Sequence, residues 1–149
     1  MTAVLIRPAH ALDAGKLADI LAVGNAQFDW LPPLFTSAEE INIIGDMIDA
    51  GWVRAAYLDG MIVGFIARKG TEIHALCLAP HLQGQGIGRT MMRDAQRNAK
   101  KLGLWSYQAN THASQFYEKA GFIEVTRTDG SGNEARLPDI RYEWYREAE

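Results

Sequence analysis

Little in this sequence would cross-link the chain, bind a metal cluster or carry it through a membrane. Of 149 residues, one is cysteine, Cys77. A single thiol excludes an internal disulfide and a thiolate metal cluster, and it leaves open an intracellular setting, where thiols stay reduced. No apolar run reaches the roughly 18 residues that a membrane helix needs. Met1–Ala9 lacks a basic segment followed by an apolar stretch, so no signal peptide is visible and a cytoplasmic setting is expected. Cationic surplus is also missing: Lys plus Arg is 15 against 18 for Asp plus Glu, a formal net charge of −3. Nonspecific nucleic-acid binding is therefore not expected, because neutralising phosphates needs a cationic face. His10, His81 and His112 have no metal-ligand spacing, and no metal is expected. Repeats, low-complexity tracts and linkers are absent, so residues 1–149 are expected to form one domain.

What is there reads as an ordinary globular protein, 48% hydrophobic and 22% charged. Ala3–Arg7 reads as a strand and Asp13–Gln27 as a helix with Leu17, Ile20 and Leu21 inward. Trp30-Leu31-Pro32-Pro33-Leu34 cannot continue that helix, since proline lacks a donor and restricts its predecessor. A second helix begins at Thr36 or Ser37, where Thr36 with Glu39 or Ser37 with Glu40 fits a capping box. Ile41, Ile44, Met47 and Ile48 form its expected apolar stripe. Trp52–Leu58, Met61–Arg68 and Thr71–Leu78 are strands joined by tight turns at Asp59-Gly60 and Lys69-Gly70. The spacing then predicts a helix over Gly86–Leu102 closed by Gly103, a strand over Leu104–Ala109, and a helix over His112–Ala120. Strands follow over Phe122–Thr128 and Ile140–Tyr145. The order β-α-α-β-β-β-α-β-α-β-β implies an α/β fold, a mixed sheet with helices packed on it.

The chemistry is concentrated between Pro80 and Arg89. Glycines at 84, 86 and 88 leave main-chain N–H groups unshielded, and the next helix points its positive end at the same place. Together they make an anion cradle suited to a phosphate; the alternative is a tight turn without a ligand. Arg89 in the first helical turn opposes the dipole by about 0.3–1 kcal/mol, which a nearby anion would rationalise. The spacing is neither a Walker loop nor a dinucleotide fingerprint.

Gln83-x-x-Gly86-x-Gly88 between a strand and a helix resembles the acyl-CoA loop of the GNAT superfamily of N-acetyltransferases. Asn110, Ala113 and Phe116-Tyr117-Glu118-Lys119-Ala120-Gly121-Phe122 resemble the family's second conserved block, and the element order is similar throughout. The resemblance implies a mostly antiparallel sheet of about seven strands flanked by about four helices. It implies that Gln83, Gly84, Gln85, Gly86, Ile87, Gly88 and Arg89 grip the pyrophosphate of acetyl-CoA. The backbone of Leu76, Cys77 and Leu78 would pair with the pantetheine arm like an added strand, with Asn110 helping to hold it. The strand carrying them would have to splay from Leu104–Ala109.

Tyr117 matches the family's usual general acid and would protonate the departing thiolate; it also lies on an apolar stripe and fits a core position. The nucleophile would be an amine, of which roughly one molecule in a thousand is free base at pH 7 for a pKa of about 10.4. Glu72, where some family members place a catalytic Glu, and His74 beside it are candidate bases; each also fits a plain strand or turn residue. Cys77, flanked by Leu76 and Leu78, reads as core rather than nucleophile.

Asp13, Asp19, Asp29, Glu39, Glu40, Asp46, Asp49 and Asp59 outnumber Lys16 and Arg54 in the N-terminal part, whereas Arg89, Arg93, Arg97, Lys100 and Lys101 oppose only Asp94 later. That suits an anionic cosubstrate on one side and a cationic acceptor on the other. In this family the connection between the first two helices shapes the acceptor pocket; here Phe28, Asp29 and Trp30 are the candidate residues. The resemblance thus implies transfer of an acetyl group to a small-molecule amine by direct attack in a ternary complex, in a domain that often pairs as a homodimer. An acyl-CoA sensor without turnover, or acetylation of a protein N-terminus or lysine, are the alternatives.

Overall fold

The computed structural model describes residues 3–147. The elements are β1 (Val4–Pro8), α1 (Ala14–Asn25), α2 (Ser37–Asp49), β2 (Val53–Leu58), β3 (Met61–Lys69), β4 (Glu72–Leu78), α3 (Ile87–Arg97), β5 (Lys101–Tyr107), α4 (Thr111–Lys119), β6 (Ile123–Thr128) and β7 (Asp139–Tyr145). The strands form one sheet in the order β1-β2-β3-β4-β5-β7-β6. Every neighbouring pair is antiparallel except β4 and β5. The mixed fold with seven strands and four helices is as expected.

Helices cover both faces. Leu17 and Ile20 of α1 and Ile44 of α2 pack on Val53, Phe65 and Ala67. On the other face, Met92 and Ala95 of α3 pack on Ile66, Leu102, Leu104, Ile140 and Tyr142, with Phe116 and Tyr117 of α4 against them. The beginning of α2 is fixed by the expected Thr36–Glu39 box: the Glu39 N–H donates to Thr36 Oγ1 at 3.2 Å and the Thr36 N–H to Glu39 Oε1 at 2.8 Å.

Three local expectations are corrected. The helix expected to reach Leu102 stops at Arg97, and Leu102 and Gly103 lie in β5. Leu102 is buried, as its helical spacing suggested, but it is buried as a strand residue opposite Trp144. The stop is imposed from far along the chain: Arg146 Nη2 donates to the carbonyls of Gln96 and Arg97 at 2.9 and 2.8 Å, satisfying the end of α3. In α2, Ile41 is 40% exposed rather than part of the buried stripe, while Glu40 beside it is partly buried. In β4, the register against β3 shifts between Ala67 and Arg68, so that Ala75 and Ile73 are their partners and His74 is extra. Such a bulge breaks strict alternation: Ile73 and Leu76, three apart, both face the α3–α4 side, while Ala75 and Cys77 face α1 and α2.

Removing the Thr36 hydroxyl by Thr36→Ala is expected to destabilise the protein by about 1 kcal/mol, since one donor of α2 loses its acceptor; urea unfolding followed by circular dichroism measures it.

Candidate active site

The glycine-rich loop has its amides free. Leu82 and Gln83 donate back to Ala79 and Pro80 at 3.0 and 3.2 Å, and regular helical bonding resumes where Thr90 donates to Gly86 at 3.1 Å. Between them, the N–H groups from Gly84 through Arg89 donate to no acceptor among the described residues. Gly84 and Gly86 have φ of +83° and +87°, the left-handed region that side chains disfavour by about 1–2 kcal/mol. Positive φ at alternate positions breaks the regular run of the chain and leaves its amides open, as an anion nest requires. Gly88 serves packing instead: a Cβ there would lie 3.3 Å from the Phe116 ring, so its absence lets α3 and α4 approach.

Below the loop, β4 and β5 diverge. They share one register pair, Glu72 with Gly103, and Gly103 N–H donates to Thr71 at 2.8 Å. Arg141 closes this junction. Its Nη1 donates to both Glu72 oxygens at 2.8 and 2.7 Å, and its Nε reaches Glu143 at 3.4 Å. A Cβ on Gly103 would overlap the guanidinium, which is why glycine stands there. Toward Leu78 and Tyr107 the strands are unpaired with each other, so the expected splay is present. Ala79 N–H bonds Val63 on β3 at 2.8 Å. Antiparallel alternation then gives Cys77 main-chain groups to β3 and leaves those of Leu76 and Leu78 facing the gap.

Tyr117 of α4 is packed against the same face of the sheet as α3. Its ring lies 5.6 Å from Phe116 and 5.9 Å from Phe122 and Tyr142. Burial raises its phenol far above the usual value, with Cys77 and Tyr142 adding to the effect, so it stays protonated. Burial likewise pushes the Cys77 thiol up to about 12, with the Glu40 charge contributing. Asn110 caps α4, its Oδ1 accepting from Ala113 N–H at 3.1 Å, and its side-chain NH2 donates to nothing among the described residues.

On the α1–α2 side, the Phe28 and Trp30 rings meet at 4.9 Å with a 31° tilt, and Trp30 meets Tyr107 edge-on at 5.8 Å. The connection therefore covers the open end of β5, while Asp29 is exposed beside it. The Tyr107 phenol is raised by burial and by Asp139 and Glu134, which brings the β6–β7 connection to the same rim. The two candidate bases are placed differently. Glu72 is committed to Arg141 at the closed end of the wedge. His74 is exposed and stacks on Trp52 at 5.4 Å. Sequence reasoning overlooked Arg141 and Tyr107, which carry no local signal because their contacts depend on strands far apart in the chain.

A sheet wedged open between two parallel strands, with free amides at its mouth, defines the architecture of acyl-CoA-dependent acyltransferases. Residues 46–144 match the model of the acetyltransferase (GNAT) domain, and the chain belongs to this family. An N-acetyltransferase of unassigned substrate from Archaeoglobus fulgidus is 33% identical over 102 residues, covering 58% of this chain and 69% of that protein. The peptidyl-lysine N-acetyltransferase YjaB of Salmonella typhimurium is 36% identical over 67 residues, 45% of this chain and 46% of that one. The spermidine N(1)-acetyltransferase of Thermoplasma acidophilum is 34% identical over 85 residues, 51% and 52% of the two chains. The chain thus spans about half the length of the last two relatives. Among solved structures, apo YjaB from Escherichia coli superposes with a TM-score of 0.78 at 22% identity, covering 95% and 97% of the chains. The PaiA N-acetyltransferase of T. acidophilum, solved with coenzyme A, gives 0.72 at 20% identity, covering 97% and 99%.

Gly86→Ala forces a side chain into the left-handed region at the mouth of the cradle. Its coenzyme A affinity is expected to fall by about tenfold, the equivalent of about 1.4 kcal/mol, as isothermal titration measures.

Proposed function

We propose that this protein transfers an acetyl group from acetyl-CoA to a primary amine of a small cationic molecule, by direct attack with both substrates bound. The observation that carries this reading is the run of unused amides from Gly84 to Arg89 beside the divergence of β4 and β5; Tyr117, buried on the α3–α4 face, is the acid this reading assigns. These amides and Arg89 would hold the pyrophosphate, and the main-chain groups of Leu76 and Leu78 would align the arm along β4. With Asn110 Oδ1 engaged in capping, its NH2 is the part left to meet the arm.

The thioester supplies an activated acyl carbon. The amine nitrogen forms the N–C bond as the C–S bond breaks. Tyr117 gives its proton to the departing sulfur and recovers one from the nitrogen, and the one proton released overall is the one the ammonium form of the acceptor sheds before attack. A phenol kept protonated by burial is suited to that task. Glu72, with both oxygens on Arg141, serves best by fixing the closed end of the wedge. His74 is open to solvent and can relay a proton outward. Phe28, Trp30 and Tyr107, with the acidic α1–α2 region behind them, suit a cationic amine bearing an apolar stem. An acetyl-CoA-dependent reaction fits the cytoplasmic setting expected from the sequence.

A second reading is acetylation of lysine on a protein. What favours it is the side of β5-β7-β6 that carries Trp105 and Ile123, 47% and 60% exposed, which offers an extended chain a floor beside the wedge.

A thiol-release assay with spermidine, a lysine peptide and an N-terminal peptide, each with acetyl-CoA and a longer acyl-CoA, tests these readings. Thiol release that requires an amine is the expected result. Binding of coenzyme A without release across the panel would sink catalysis and leave a sensor. Tyr117→Phe is expected to lower kcat by about 10²-fold while keeping the rise in Tm caused by coenzyme A. Wild-type activity should climb with pH as the acceptor deprotonates, with no loss from Tyr117 ionisation up to pH of about 10.

A further inference from the structure

One flank of α3 gathers cations that the fold leaves unpaired. Thr90, Arg93 and Arg97, at i, i+3 and i+7, share a face of the helix. With Gln96, with Trp144 near the end of β7 and with Arg146 just beyond it, they line an open groove of about 640 Å³. Among the described residues, Arg93 and Arg97 make no side-chain hydrogen bond or ion pair. No carboxylate lines the groove. Asp94, the one acid of α3, lies in a different cavity, bonded to Arg54 Nε at 2.7 Å.

Helix capping accounts for only part of this. Arg146 closes the end of α3 with the two N–H bonds of Nη2, which leaves the donors of Nε and Nη1 unused. Arg97 suits the negative end of the dipole, but Arg93 stands before the last turn, where that effect fades. The lining is also held in place. The two carbonyl bonds fix Arg146, Gln96 Nε2 donates to the Ala120 carbonyl of the α4 end at 2.8 Å, and Trp144 is partly buried against the core. Nor does the cradle's ligand explain the groove. The cradle amides precede Thr90, whereas Arg97 and Arg146 stand at the opposite end of α3.

We propose that this groove binds a nucleoside polyphosphate at a second site, separate from the Gly84–Arg89 cradle, with its phosphates on Arg93, Arg97 and Arg146 and its base against Trp144. Guanidinium forks match phosphate oxygens in pairs, and an indole offers a planar base a stacking surface. The size selects one nucleotide rather than a strand. Thr90 to Arg97 spans about 10 Å along the helix, short for the roughly four or more nucleotides that single-strand grooves track. A chain of net charge −3 also lacks the broad cationic field that a polyanion needs. The proposal stands apart from the transfer reading, since it requires no acetyl transfer.

Isothermal titration of ATP into wild type, alone and saturated with coenzyme A, tests this. ATP is expected to bind in both cases, and more tightly than inorganic tripolyphosphate, because only ATP brings a base for Trp144. Arg93→Gln combined with Arg97→Gln is expected to weaken ATP binding by about tenfold while the rise in Tm caused by coenzyme A persists; both side chains are exposed, so folding does not depend on them. Loss of ATP binding in the presence of coenzyme A would return the nucleotide to the cradle and overturn a second site. Equal affinity for ATP and tripolyphosphate would overturn the nucleoside, and tighter binding of a single-stranded oligonucleotide than of ATP would overturn a one-nucleotide groove. Undiminished ATP affinity in the double variant, or no ATP binding to wild type, would overturn the proposal outright.

Discussion

The site depends on two parallel strands that meet at one point and then part. β4 is fully laddered to β3, and β5 to β7, so each strand is held firmly on its outer side. Among the described residues, the Glu72–Gly103 pair, the Gly103 N–H bond to Thr71 and the Arg141 clasp hold the inner edges together. Main-chain donors and acceptors along the divergence are left without a protein partner. Such groups are costly to bury unpaired, so the gap must be filled by water or by an extended, amide-bearing molecule. An added strand of that kind is what a pantetheine arm resembles. The clasp also explains why an acid at the head of β4 need not be a base: its position is where the sheet stops opening.

Much of this was legible because it is local. The loop motif, the α4 block and the Thr36–Glu39 box each lie within a few residues, and their geometry follows from backbone rules that a short segment carries by itself. What was not legible depends on partners far away. Arg146 ends α3 from across the fold, so the helical spacing of Leu102 misled by about one and a half turns. In α2, residues 40 and 41 both fit the spacing of Ile44 and Ile48; hydropathy favours the isoleucine, yet the isoleucine is exposed and the acid partly buried. The bulge at His74 redirects one face of β4 without any glycine or proline to announce it.

The two sides of the sheet have different electrostatic duties. α3 begins at the glycine-rich loop and carries Arg89, Arg93 and Arg97, while the acids collect around α1 and α2. The free ends of the wedge join these halves, so two oppositely charged molecules approaching from opposite sides would meet where Leu76 and Leu78 present their backbones. Neither side needs a tight pocket of its own, because the gap between strands is itself the meeting place.

Cys77 gives this arrangement a form of chemical quiet. An enzyme that handles thioesters risks having its own sulfur accept the acyl group by exchange, trapping itself as a dead-end adduct. With the thiol pushed up to about 12, roughly one molecule in a hundred thousand carries a thiolate at neutral pH. A thioester held along β4 would then meet plain apolar bulk at this sulfur instead of a competing acceptor, and cysteine need not be excluded from that strand.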